Sequence, residues 1–241
     1  MENERIDQLY SADIQIIQSP TVFSFSLDAV LLANFPRVPH TGSIVDLCAG
    51  NGAVGLFLAP KTTAQITQVE IQEKLADMGR RSIILNHLEK QYTMINDDLK
   101  NILANVPANS VDLILCNPPY FKDAPDKKIN PNEHLALARH EITTNLQEVA
   151  AISGKLLKSK GHFALVHRPE RLTEILSVLT AARLMPKRLQ FIYPKAGREA
   201  NMVLIEAIKD GKPGLKVLPA QIVYTDDNQY TPEIHEMLYG K

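Results

Sequence analysis

The chain is expected to fold as an α/β protein, a seven-stranded, mostly parallel sheet with helices on both faces. Three observations predict this. Short apolar runs alternate with amphipathic stretches through short connections. A glycine-rich turn joins the apolar run Ile44-Val45-Asp46-Leu47 to a helical stretch beginning near Gly52. At 241 residues, 45% hydrophobic, the chain is long enough to bury one large core.

In chain order, a helix over 26–35 follows Phe23 and Phe25, and strand 43–48 runs into the turn and a helix over 52–59. Strand 64–70 leads into helix 72–87, where Leu75, Met78, Ile83 and Ile84 recur at helical spacing. Strands 92–96 and 111–116 come next, then helix 143–159, strand 161–167 and helix 169–182, which opens on Pro169. Strands 187–193 and 201–208 close the sheet. After Lys212-Pro213-Gly214 an extended segment reaches a terminal helix over 232–239, begun by Thr231-Pro232-Glu233. The whole reads as one domain, with an N-terminal extension and helix over 1–40, a sheet core over 41–208 and a tail over 209–241. No internal repeat is visible.

The formal net charge is −1, so no global basic field advertises nucleic acid, and any such partner must meet a local patch. Cys48 and Cys116 are the only cysteines, both on expected buried strands, which fits a reduced intracellular protein without a disulfide framework. The charged start Met1-Glu2-Asn3-Glu4-Arg5 leads into no apolar signal region, and no stretch approaches a membrane span. A cytoplasmic location is therefore expected, and no metal.

Four residues directly after an apolar strand carry the sharpest chemical signal: Asn117-Pro118-Pro119-Tyr120. A base amine or a carboxamide nitrogen has a delocalised lone pair, and must be held so that the pair points at an electrophile. The Asn117 side-chain oxygen and the Pro118 carbonyl can each accept one N–H, while Tyr120 offers a ring face. Two prolines keep that backbone stiff and free of competing N–H donors. The bland alternative, turn punctuation after a strand, weakens once a cofactor site is found upstream.

Gly50, Gly52 and Gly55 in Asp46-Leu47-Cys48-Ala49-Gly50-Asn51-Gly52-Ala53-Val54-Gly55 also satisfy a dinucleotide fingerprint. Asp46 separates the readings. So near the turn a carboxylate repels a pyrophosphate, whereas the α-amino group of S-adenosylmethionine is a cation that it attracts. Glu70, about twenty residues on at a strand end, is placed to bind two ribose hydroxyls, with Ile71 beside it. Asp98, with the Leu99 backbone, is the favoured partner of an adenine amine over Asp97 or a plain helix cap. The cofactor set is therefore Asp46, Cys48, Gly50, Gly52, Glu70, Ile71, Asp98, Leu99 and Asn117. Every candidate falls at the carboxyl end of a successive strand, the edge where ligands bind in open α/β sheets.

Three further features stay open. Asp28 is either a helix N-terminal charge or a polar contact near the methionine end of the cofactor. The segment 121–137, with Lys122, Lys127 and Lys128, is a lid or a surface insertion. His140 and His167 read as packing or solvated histidines rather than bases.

The Asp46–Gly55 stretch, Glu70 and Asn117-Pro118-Pro119-Tyr120 resemble the class I S-adenosylmethionine-dependent methyltransferases that modify amino nitrogens. Within them, the chain is similar to the bacterial tRNA adenine N6-methyltransferase group. The Phe23-x-Phe25-x-x-Asp28-Ala-x-Leu-Leu segment, Ala138-Arg139-His140-Glu141, Val166-His167-Arg168-Pro169-Glu170-Arg171-Leu172 and Ala200-Asn201-Met202-Val203-Leu204-Ile205-Glu206 carry that narrower likeness. The resemblance implies a Rossmann-like class I fold, S-adenosyl-L-methionine as cofactor and an RNA adenine, in a tRNA anticodon loop, as acceptor.

On that reading Asn117, Pro118 and Tyr120 are catalytic, and Pro119, Arg168, Lys195 and Arg198 bind substrate. Lys187, Arg188 and Arg171 extend the basic patch, and Phe191 and Tyr193 supply stacking faces. A protein glutamine N5-methyltransferase poses the same lone-pair problem, but lacks here a separate N-terminal helical domain. A DNA adenine enzyme needs a recognition domain for which there is little room. A nicotinamide oxidoreductase leaves Asp46 and Asn117 unexplained, and a non-catalytic cofactor- or RNA-binding module remains a further alternative.

Overall fold

A computed structural model of the chain describes residues 4–9, 14–20, 25–120 and 144–240. Phe23, segment 121–137 and Ala138-Arg139-His140-Glu141 lie outside them. The described chain opens with an antiparallel hairpin, β1 (Arg5–Leu9) and β2 (Ile14–Gln18), where the sequence reading named only an N-terminal extension. Helix α1 (Leu27–Asn34) precedes β3 (Ser43–Leu47), α2 (Ala53–Leu56), β4 (Gln65–Glu70), α3 (Glu73–Leu85), β5 (Tyr92–Asn96) and β6 (Val111–Cys116). Then come α4 (Leu146–Leu156), β7 (Leu157–His167), α5 (Leu172–Ala181), β8 (Leu184–Tyr193) and β9 (Met202–Lys209). Two-residue strands β10 (Lys216–Val217) and β11 (Gln221–Ile222) and helix α6 (Pro232–Tyr239) complete the chain.

All seven expected strands are present. They lie in the order β8-β9-β7-β6-β3-β4-β5, with β10 and β11 both paired to β8, so among the described residues the sheet has nine strands rather than seven. Pairing is parallel from β7 through β5, and β9 runs antiparallel to both its neighbours. The parallel strands therefore end at one edge, and the carboxyl end of β8 joins them there.

Period-2 alternation divides the core. In β3, Ile44 belongs to the apolar cluster formed with α1, α2 and α6, while Val45 and Leu47 belong to the cluster under α4 and α5. In β6, Leu113 and Leu115 face the first cluster, and Ile114 and Cys116 the second. Helix α3 buries Leu75, Ala76, Met78 and Ile83. Each fully buried side chain of the size of Leu or Met contributes roughly 1.5–3 kcal/mol relative to exposure.

Two helix boundaries differ from expectation for local reasons. Helix α4 starts at a capping box, Asn145 Oδ1 accepting from Glu148 N at 2.9 Å and Glu148 Oε2 from Asn145 N at 3.2 Å. It ends at Leu156, because Leu157 is already extended, pairs with Val111 and begins β7. The expected 52–59 helix is one turn, 53–56, followed by a 3-10 turn over 59–61 that contains Pro60.

Candidate active site

The turn after β3 winds tightly. Cys48, Gly50 and Gly52 all have positive φ, 58°, 58° and 86°, so three backbone units in five residues are left-handed. Gly52 is favoured there because that conformation strains residues bearing a Cβ. The turn is held from three directions.

Behind it lies Asp46, buried, with Oδ2 accepting from Gly55 N at 3.2 Å and Gln68 Nε2 at 3.4 Å, and Oδ1 buried without a partner. Burial pushes its carboxyl up to about 7, against the lowering effect of those two bonds. The expected salt-bridge partner of a ligand cation is thus beneath the turn, not on its open side. Gln68 also donates to Gly52 O at 2.9 Å, and occupies the space that a side chain on Gly55 would need. From the hairpin side, Asn51 Nδ2 donates to Ile17 O at 3.0 Å.

Across the turn stands Glu70, ending β4. Its Oε2 accepts from Gly50 N and its Oε1 from Gln72 N, each at 2.8 Å. Burial raises its pKa, and the backbone N–H bonds from Gln72 and Gly50 oppose the rise. Each carboxylate oxygen retains a second lone pair. Ile71 beside it is exposed, and Asn96 Nδ2, at the end of β5, donates to the carbonyls of Glu70 and Ile71 at 2.9 and 3.0 Å. Asp98 caps the 3-10 segment Leu99–Ala104 through Lys100 N at 2.9 Å, so the cap alternative describes its Oδ1. Asp97 Oδ1 accepts from Asp98 N and Asn101 Nδ2.

Beyond β6, Asn117, Pro118, Pro119 and Tyr120 continue without regular structure. The Tyr120 hydroxyl lies 2.6 Å from Asn117 Oδ1 and 2.6 Å from Asp28 Oδ2 on α1. Burial, and next the charge of Asp28, push its pKa well up. Its ring meets that of His167 at 5.2 Å and the Arg168 guanidinium at 5.4 Å. His167 is buried, its Nδ1 accepting from Arg168 N at 2.8 Å, and burial lowers its pKa to about 4. It is a neutral packing residue near pH 7, with its proton on Nε2.

The basic patch divides. Arg168 Nη1 donates to Asn201 O at 2.8 Å and Lys195 Nζ to Asp226 O at 3.0 Å; these and exposed Arg198 lie beyond the carboxyl ends of β7 and β8, the edge that carries Asn117. Arg188 is removed from the patch, because it pairs with Glu206 at 2.6 Å and donates to Phe35 O from the opposite half of β8. Arg171 is engaged by Glu174 at 3.0 Å. Sequence reasoning missed Gln68 and Asn96, polar residues on strands with no motif around them.

The chain from 13 to 179 matches the family model of the methyltransferase small domain. Among curated relatives, the tRNA1(Val) (adenine(37)-N6)-methyltransferase of Shewanella sp. (strain MR-7) is 25% identical over 217 residues, 88% of this chain and 89% of that one. Its counterpart from Haemophilus influenzae (strain PittEE) is 27% identical over 225 residues, 92% of each. Among solved structures, a predicted O-methyltransferase of Agrobacterium tumefaciens superposes with a TM-score of 0.70 at 22% identity, covering 87% of this chain and 94% of that chain. Geranyl diphosphate C-methyltransferase from Streptomyces coelicolor A3(2) gives 0.57 at 12% identity, over 76% of each. The sheet order, the glycine turn pinned by Glu70 and the Asn117-Pro118-Pro119-Tyr120 strand end all lie within or across the matched span: the chain belongs to the methyltransferase small domain family.

Proposed function

We propose that the protein transfers a methyl group from S-adenosyl-L-methionine to the exocyclic N6 of an adenine in tRNA, in the anticodon loop. One observation carries the reading. Leu47 and Cys116 are register partners on neighbouring parallel strands, so the glycine turn after β3 and Asn117 after β6 start side by side. A donor seated on the one lies next to an acceptor held by the other.

The residues fit the cofactor by their chemistry. Glu70, fixed by two backbone N–H groups, has lone pairs left for two ribose hydroxyls, and exposed Ile71 beside it suits an adenine face. Asp46, buried beneath the turn with one oxygen unpartnered, is the acceptor proposed for an ammonium group, whose positive charge would favour its ionised form. Cys48, Gly50 and Gly52 bring backbone close to the ligand, and Asp98 with Leu99 borders the adenine. When bound, S-adenosylmethionine supplies an activated sulfonium methyl.

The chain's part is positioning. Asn117 Oδ1 and the Pro118 carbonyl accept the two N–H groups of the amine, so its lone pair faces the methyl for an in-line displacement. Pro119 and the Tyr120 ring flank the base. No general base is required before transfer, since the nitrogen becomes acidic as it bonds carbon and releases its proton afterwards. His167 needs no role in that step. Arg168, Lys195 and Arg198 contribute phosphate contacts at the same edge.

The names of the relatives support tRNA over a protein glutamine acceptor. No helix among the described residues is long and apolar enough to cross a membrane, and the tRNA reading carries with it a cytoplasmic site of reaction. Incubation with labelled S-adenosylmethionine and separate pools of tRNA, ribosomal RNA, DNA and protein tests the reading. Label in N6-methyladenosine of one tRNA is expected; label confined to protein would overturn it.

A further inference from the structure

The Tyr120 hydroxyl faces two oxygens, Asp28 Oδ2 and Asn117 Oδ1, each 2.6 Å away. It has a single proton. A carboxylate only accepts, and hydrogen bonds to an ionised group are about twice as strong as neutral ones, so Asp28 takes that proton. Two oxygens at hydrogen-bond distance with no proton between them repel. A half-turn of the Asn117 amide replaces its oxygen with an N–H, which the phenol oxygen can accept. We infer that Asp28 is a positioning residue for methyl transfer: by claiming the phenolic proton it turns the Asn117 amide nitrogen toward Tyr120 and leaves the Asn117 oxygen for the acceptor amine. This rests on the role proposed above for Asn117.

Asp28 is built to hold that place. Its Oδ1 is occupied by Ala29 N at 2.9 Å and by the Ser26 hydroxyl, which leaves Oδ2 for Tyr120. It stands in the first turn of α1, whose following residues Ala29 to Ala33 are buried, so the carboxylate cannot drift. The ring of Tyr120 is packed by His167 and Arg168, which fixes the phenol oxygen from the other end.

Without the carboxylate, the phenol donates to Asn117 Oδ1, the same oxygen that the amine needs. Asp28→Ala should therefore lower kcat on tRNA by roughly 10- to 100-fold, with the dissociation constant for S-adenosylmethionine unchanged. Adding Tyr120→Phe removes the competing donor, so the double variant should turn over faster than Asp28→Ala alone. A merely structural Asp28 predicts the opposite, a double variant as slow or slower, and that result overturns the inference, as does unchanged kcat in Asp28→Ala. Neutron diffraction from the wild-type protein decides the point without substrate. A deuteron on Tyr120 directed at Asp28, with the amide nitrogen of Asn117 against the phenol, is expected; a deuteron directed at Asn117 sinks it. Wild-type protein inert on tRNA would defeat the functional reading while leaving the neutron result to decide this one.

Discussion

Glu70 reaches from the end of β4 to the turn that ends β3, its Oε2 2.8 Å from the amide of Gly50. One side chain thus sets the turn's shape and, on the proposed reading, receives the ribose. Glu70→Ala should weaken S-adenosylmethionine binding about 10- to 100-fold, the scale of one or two hydrogen bonds to a charged group. Titration calorimetry checks this, and full affinity would refute the cofactor assignment.

Asn117→Ala separates binding from transfer. On the proposed reading its side-chain amide serves the acceptor and any cofactor contact comes from its backbone, which the substitution keeps, so cofactor affinity should stay within a few-fold while the methylation rate falls by about a hundredfold or more. Single-turnover kinetics on the true substrate provides the measurement; an unchanged rate would remove the orientation argument.

Asp46 makes stability depend on pH in a stated direction. Its folded pKa, about 7, lies above the ordinary 3.8, so between those values the folded protein holds a proton that the unfolded chain gives up. Stability from this group is fully present below the ordinary value and is lost as pH rises through the window. Asp46→Asn cannot titrate. Between pH 4 and pH 7 the wild type should therefore lose stability relative to the variant, as read from urea midpoints; parallel pH profiles would show that burial does not perturb this carboxyl.

Charge reversal at Lys195 and Arg198 should reduce tRNA affinity and flatten its dependence on salt, by about one unit of slope for each phosphate no longer neutralised. Lys187→Glu is the control. Lys187 lies in the half of β8 away from the site and donates to Lys212 O. Equal weakening at both places would mean a diffuse rather than a local docking of the RNA.

Much of the architecture was legible because its signals are local. Strand ends at 96, 116, 167 and 193 coincide with apolar runs that stop at polar or proline residues, and the structure places Glu70 and Asn117 at the carboxyl edge expected of them. The hairpin of β1 and β2 escaped because Arg5-Ile6-Asp7-Gln8-Leu9 is short and mostly polar, and is ordered by contacts far along the chain such as Ile17 N to Ser82 Oγ at 3.0 Å. Gln68 escaped for a related reason. A glutamine in a strand carries no motif, and only the fold shows it filling the space beside Gly55. The Asp28 to Tyr120 hydrogen bond spans 92 positions, so the sequence left Asp28 between two roles. Arg188 looked like part of an open basic patch because its partner, Glu206, sits on a different strand.

The hairpin also ties two processes together. Asn51, inside the glycine turn, donates to the carbonyl of Ile17, whose own amide is held by Ser82. Whatever steadies the turn steadies the docking of β2, and by thermodynamic reciprocity whatever loosens β2 weakens the hold on a ligand at the turn. Occupancy of the proposed cofactor site should then be readable at a distance, as slower hydrogen exchange of the Ile17 amide, and trimming the chain up to Gln18 should lower affinity for S-adenosylmethionine.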